Sequence, residues 1–485
     1  MEHKPKDDTS QNKKKHGAGE NMGSVLLKNC YYIWPGIDDE PLENTDILIK
    51  GNQIKKIEKN IIEEAQRVID CSNHVVLPGL VNTHHHFYQT LTRNLPAVQN
   101  AKLFDWLVHL YDIWKHIDEE AVFYSSLLAM GELLKTGCTL STDHHYLYPR
   151  GIDCDIMATQ FKAAQILGLR FSPARGSMSL SKKDGGLPPD SVVQDEETIL
   201  WDSERVIRKF HDPGELSMKK IILAPCSPFS VTRNLMKETV ALARRYNVRL
   251  HTHLAETADE NEYCVSVYGQ RPLALMEDCA FIGEDVSYAH GVFFNDDELT
   301  LLKETQTHIA HCPTSNMRLG SGICRVSDMR AKGINVALGV DGSASNDSSD
   351  MLGELRNGLL LARVKYGASA MSVDDILKMA TQNGAKLLNF ERVGKIRPDY
   401  AADLAVFNIN RMEYAGSLSD PAAALIFSGY NHGTDYTLVN GKVVVDQGRL
   451  TGFNEDAIRD KANALSLKIR RRHISHGSGK IGKPC

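Results

Sequence analysis

VVLPGLVNTHHH, residues 75–86, is a short apolar and β-branched run that ends in three consecutive histidines. It is the first of eight such runs. The others are TGCTLSTDHH (136–145), LGLRFSPARGS (167–177), KIILAPCSPFS (220–230), VRLHTHLAE (248–256), VSYAHGVF (286–293), HIAHCPTSN (308–316) and INVALGVDGSASND (334–347). Helical patterns separate them. One predicted helix begins at Asp118, an N-cap followed by two acids, and stops at Gly137. Another covers NLMKETVALARRY (234–246), with apolar positions at three- and four-residue spacing. Strands alternating with helices predict an α/β fold with a parallel sheet. Eight such units predict a (β/α)8 TIM barrel over residues 78–397, with its active site at the carboxyl ends of the strands. Five of the eight runs end in or just before His and the eighth ends in Asp, a regularity that core packing does not produce.

The chain on either side has another texture. Short alternating runs fill 24–76, with a turn at Gly51-Asn52, and return in ADLAVFNIN (402–410) and in YTLVNGKVVVDQG (436–448), where Asn440-Gly441 predicts a hairpin. Residues 22–77 and 398–452 are therefore expected to form one small β-sandwich domain from both chain ends. Residues 1–21 hold almost no hydrophobic side chains and are expected to be a disordered tail, with Lys13-Lys14-Lys15 a solvated run. Residues 453–485 are expected to be a helix and a basic tail, loose from about Lys468, so that His473, His476 and Cys485 carry no chemistry.

Composition narrows the function. The 485 residues are 42% apolar and 24% charged, which excludes collagen-like, coiled-coil and largely disordered chains. The net charge of -5 asks for neither nucleic acid nor an anionic membrane, and no apolar stretch is long enough to span one. Ten cysteines without a C-x-x-C pair fit a reducing, cytoplasmic setting.

Residues i and i+2 of a strand point the same way, so His84 and His86 can face one ion while His85 faces away. His253 closes the fifth run and Asp341 the eighth, adding ligands from separated strands. Three imidazoles and a carboxylate suit Zn²⁺, with Fe²⁺ possible, and leave a position for water. Any one of these residues is equally read as a polar strand end, but the four together are not. The fourth run lacks a lysine at its carboxyl end that could bridge two ions, so one divalent metal is expected. Glu256, three residues past His253, suits general acid/base work. His290 can hold an attacking water or a developing oxyanion. His144, His145 and His311 read equally as supporting residues.

PGLVNTHHH, HTHLAET, YAHGVF, AHCPTSN and GVDGSASND together resemble the amidohydrolase superfamily, in its cytosine deaminase, guanine deaminase and chlorohydrolase branch, over about residues 24–450. HHHFYQTLTRNLP, LFDWL, GCTLSTDHHY, LAPCSPFSVT and the long stretch beginning RGSMSLSKKDGG are similar to the 8-oxoguanine deaminases within it. The resemblance implies one metal, usually zinc, on His84, His86, His253 and Asp341, with Glu256, His290 and Asp341 handling protons. It implies a purine-binding role for Gln89. Guanine deaminases carry an Arg-Phe pair where this chain has Cys226-Ser227, so ordinary guanine is expected to lose a ligand there. Arg175 is the expected replacement cation, and Trp106 a stacking surface or a helix-packing aromatic. The expected reaction is 8-oxoguanine plus water to urate and ammonia. The alternative is release of an alkylamine from a hydroxylated s-triazine. A small heterocyclic substrate and a homo-oligomer are expected, and a catalytically dead scaffold is the contrasting reading.

Overall fold

The computed structural model describes residues 23–477. The expectations for residues 1–21 and for Cys485 lie outside them, as does the side chain of His476. Between Leu80 and Leu338 runs a curled parallel sheet flanked by helices. Its strands are Leu80–Asn82, Cys138–Ser141 continued by His144–His145, Arg170–Phe171 continued by Ala174–Ser177, Ile222–Pro225, Arg249–Leu254, Val286–His290, His308–His311 and Val336–Leu338. Each pairs in parallel with the next in sequence order. The first and last approach as well, for Thr83 N donates to Leu338 O at 3.0 Å and Asp341 N to His84 O at 3.0 Å.

Local chemistry accounts for the helices. Asp118 caps the helix Glu119–Lys135 by accepting from Ala121 N at 3.1 Å, Glu119 and Glu120 face the positive end of its dipole, and Gly137 turns the chain at φ 88°. Between the strands, Ala174, Ala224, Ala310 and Ala337 pack with Val81, Leu140 and Ile222 in one cluster closed by Leu388 and Phe390.

Both chain ends contribute to a single sheet of nine strands, in which His74–Pro78 pairs antiparallel with Leu404–Asn408. Its hairpin turns are the anticipated ones: Gly51 has φ 63°, and Asn440 and Gly441 have φ 51° and 78°.

The C-terminal helix, Glu455–Gly477, corrects the expectation of a loose tail from Lys468. Ile458, Ala462, Leu465 and Ile469 form a buried stripe, and Lys468 Nζ reaches Asp118 Oδ2 at 3.0 Å, so tertiary contacts hold the basic segment helical. Among the described residues no helix is long and apolar enough to cross a membrane.

One ion pair ties the two sheets together. Arg170 on the third parallel strand donates from Nε to Asp403 Oδ2 at 2.8 Å and from Nη2 to Oδ1 at 2.9 Å, both side chains being sealed from solvent. Asp403→Ala leaves a buried guanidinium unpaired, and chemical denaturation is expected to show a loss of about 3–5 kcal/mol. A loss below about 1 kcal/mol would show the pair to be dispensable.

Candidate active site

The carboxyl ends of the parallel strands converge on one cluster. His86 Nε2 lies 3.1 Å from His253 Nε2 and 3.2 Å from Asp341 Oδ1, and His84 Nε2 lies 3.4 Å from the same oxygen. The far nitrogens are already committed. His86 Nδ1 donates to His144 O at 2.8 Å and His253 Nδ1 to Cys226 O at 2.7 Å. His84 Nδ1 is 2.8 Å from His251 Nε2, whose own Nδ1 meets Ser287 Oγ at 2.8 Å. Each Nε2 of His86 and His253 therefore presents a lone pair, and two lone pairs and a carboxylate oxygen face one another at about 3 Å. His84 Nε2 is buried with no hydrogen-bond partner. Such a set repels itself unless a cation is shared, so these residues fit a divalent metal, with second partners orienting each ring.

The backbone is bent to make the cluster. His290 and Asp341 have φ of 72° and 63°, and Ala255, beside Glu256, has φ 55°. Such left-handed turns at non-glycine residues gather at functional sites because they re-aim a side chain. Asp341 Oδ2 accepts from Ser315 Oγ at 2.5 Å and Ser345 Oγ at 3.3 Å, while its Oδ1 accepts from Gly342 N at 2.7 Å. Burial would raise its pKa, but the close approach of the His84 and His86 rings holds the carboxyl well below the usual range. Any side chain on Gly342 would collide with the Gln89 amide, so glycine lets Gln89 lie against this loop.

Glu256 is buried, and burial reinforced by the Asp341 charge pushes its carboxyl well above the usual range. Its Oε2 is 3.4 Å from His290 Nε2, whose Nδ1 meets Asn316 Oδ1 at 2.9 Å. The residue that holds the Glu256 turn, Glu260, went unnoticed in the sequence. Its two carboxylate oxygens accept from Ala255 N and Glu256 N, each at 2.9 Å. The four-residue offset within ETADENEYC was the available signal.

A cavity opens onto this cluster. His86, His253, Glu256, His290 and Asp341 floor it, and Gln89, Trp106 and Cys226 line it as expected. Trp106 also packs edge-on against Trp114, the helix-packing contact that was the alternative reading of this residue. Residues not foreseen also line the wall, Leu107, Tyr111, Tyr146 and Phe229 among them. Trp106, Leu107 and Tyr111 share a face of the helix Leu103–Trp114, a spacing visible in the sequence whose direction is not.

Arg175 is not there. Its guanidinium donates to Asp202 Oδ2 at 2.9 Å, to Gln194 Oε1 at 3.0 Å and to Gly176 O, and lies 3.9 Å over the Tyr148 ring. These contacts use it as a buried structural cation, which corrects the expectation that it faces the substrate. His144 and His145 are tied down through Nε2, which meets Ala224 O at 2.9 Å and Leu147 O at 2.8 Å respectively, while His144 also stands with His84, His86 and His253 in one group of buried imidazoles that could hold a metal ion. His311 is buried beside the cluster without lining the cavity.

Comparison with known proteins extends this picture. The family model for the amidohydrolase family matches residues 75–444. The chain is 45% identical to an 8-oxoguanine deaminase of Pseudomonas aeruginosa over 82% of this chain and 88% of that one. It is 35% identical to a hydroxydechloroatrazine ethylaminohydrolase of Pseudomonas sp. strain ADP over 88% and 92%. Among solved structures, atrazine chlorohydrolase TrzN from Arthrobacter aurescens TC1, complexed with zinc, superposes with a TM-score of 0.87 at 28% identity, covering 91% of this chain and 100% of that one. Both curated relatives cleave carbon–nitrogen bonds, as their names state, and the model match spans the whole parallel sheet and the cluster at its carboxyl edge. The chain belongs to the amidohydrolase family, as a hydrolase of carbon–nitrogen bonds of the purine and triazine deaminase type.

Proposed function

We propose that this protein hydrolyses 8-oxoguanine to urate and ammonia, with one zinc ion on His84, His86, His253 and Asp341. The observation that carries the proposal is Glu256. It is a buried carboxyl group at the cavity floor whose pKa is pushed up by burial and by the Asp341 charge, while that of Asp341 itself is held down. Two carboxyl groups whose environments push their pKa values apart are an acid and a base. The 45% identity to an 8-oxoguanine deaminase supports the substrate, as does a wall on the Cys226 side that offers no cation to the N7 acceptor of ordinary guanine.

A divalent ion held in the site supplies Lewis acidity, lowering the pKa of a water from 15.7 toward about 7. Asp341 takes the proton that the attacking water gives up, and His290 orients that water. Glu256 donates its proton to the ring nitrogen beside C2, which makes C2 electrophilic. The oxygen adds to C2, and the exocyclic amine receives the proton held by Asp341. The C2–N bond breaks to release ammonia as the C2 hydroxyl gives its proton to the Glu256 carboxylate, which leaves a C2 carbonyl and restores both carboxyl groups. Gln89 binds the ring edge and Trp106 covers a ring face.

The same reading takes the curled sheet as a closed eight-unit barrel, on the strength of the bonds from Thr83 to Leu338 and from His84 to Asp341. It takes residues 22–77 and 398–452 as one β-sandwich, and the enzyme as a cytoplasmic homo-oligomer. The free cysteines of the described residues suit a reducing compartment.

A hydroxylated s-triazine releasing an alkylamine is the second reading, favoured by the 35% identity to the ethylaminohydrolase. One assay separates them: ammonia release from 8-oxoguanine, guanine, isocytosine, cytosine and adenosine, beside amine release from the triazine. Metal-dependent turnover of 8-oxoguanine with guanine poor is the expected result. Triazine turnover alone transfers the site to the second reading, and silence on every compound sinks both.

A further inference from the structure

Tyr111 has an unusual position. It lines the cavity, it is 0% exposed, and its hydroxyl is buried without a hydrogen-bond partner among the described residues. A buried hydroxyl left unpaired is costly, and native structures retain one only where something else is gained. The walls near it do not relieve it. Trp106 and Leu107 flank it on its own helix, Phe229 adds a ring, and the Cys226 carbonyl is already taken by His253 Nδ1 at 2.7 Å.

Its place along the cavity is set by its neighbours. Tyr146 stands next to the metal cluster, its ring centroid 5.0 Å from that of His86 and 6.0 Å from that of His253. Tyr111 makes no ring contact with any of the cluster histidines; its aromatic neighbour is Trp114, at 6.0 Å. The Tyr111 ring thus stands farther from the cluster than the Tyr146 ring does, toward the other end of the cavity. In 8-oxoguanine, C2 and C8 lie at opposite ends of the long axis of the fused rings. With C2 over the cluster, the C8 oxygen points to that end.

We propose that the Tyr111 hydroxyl donates a hydrogen bond to the C8 oxygen of the substrate and is a specificity determinant of this enzyme. This rests on the reading of 8-oxoguanine as substrate. It supplies the contact that Arg175 does not. Guanine carries C8–H at that place and leaves the hydroxyl unpaired, which penalises it in the way a site built for a polar group rejects an analogue lacking one.

The test is Tyr111→Phe on the metal-loaded enzyme. Loss of the bond is expected to lower kcat/KM for 8-oxoguanine by about 10–100-fold, mostly through KM. Calorimetry with urate and xanthine, which differ by the oxygen at C8, isolates the contact without turnover. Urate is expected to weaken by about 10–100-fold while xanthine changes less than about twofold. The melting temperature is expected to stay or rise, because the variant no longer buries an unpaired hydroxyl. Equal weakening of both ligands, no weakening of either, or a large fall in melting temperature overturns the proposal. A wild type that binds urate better than xanthine through Tyr111 yet leaves 8-oxoguanine intact would sink the substrate reading alone.

Discussion

Glu256→Gln is expected to lower kcat by about 10²–10⁴-fold, with KM and bound metal close to those of the unaltered protein. The amide keeps the size and shape of the side chain, so the cavity wall and the contact toward His290, 3.4 Å from Glu256 Oε2, are retained. What is lost is the transferable proton. The same carboxyl sets the alkaline side of the pH profile. Burial and the Asp341 charge raise its pKa, so the proton is held to higher pH than on an ordinary glutamate and leaves as the pH climbs through the raised value. The rate is thus expected to fall with rising pH on that limb, and the fall should vanish in the residual activity of the glutamine variant. A variant with full kcat would remove Glu256 from the reaction. A variant that had lost its metal would show Glu256 to be part of the binding site instead.

His253→Ala is expected to abolish both metal binding and turnover. His253 stands between two fixed points, its Nδ1 on Cys226 O at 2.7 Å and its Nε2 facing His86 Nε2 at 3.1 Å. Losing even a partner that merely orients a metal ligand weakens affinity by about 10–100-fold, and losing the ligand itself weakens it further. Metal analysis after dialysis against a chelator reads this directly. Restoring the metal should leave the variant inactive, whereas apo wild type should recover. There is a stability counterpart. Without an ion, removing one of several mutually repelling lone pairs relieves the cluster, so the apo variant is expected to melt no lower than apo wild type. Full metal retention in His253→Ala would contradict the ligand assignment.

The floor of the cavity was legible in the sequence because each of its parts is local. A strand repeats every two residues, so His84 and His86 share a side by geometry alone, and a strand end followed by a loop places Glu256 and Asp341 at the same edge. The turns at Gly51 and at Asn440-Gly441 were readable for the same reason, since each needs a residue tolerant of positive φ and has one.

The walls of the cavity were not legible. Arg175 and Tyr111 look alike to a sequence reader, each a polar side chain close to a quoted motif. Arg175 turned away because Asp202, 27 residues later, is brought beside it by the helix Glu196–Phe210. Tyr111 turned inward because packing of Trp106 against Trp114 sets the face that its helix presents. The C-terminal segment likewise became helix through Asp118, 350 residues away in the chain. The sequence by itself determined the parallel sheet and the gathering of His84, His86, His253, Glu256 and Asp341 at its carboxyl edge, because backbone periodicity and strand ends act within a few residues. The tertiary structure alone decided which polar groups line the cavity, because a long side chain takes its direction from the burial and the charge partners that distant segments bring to it.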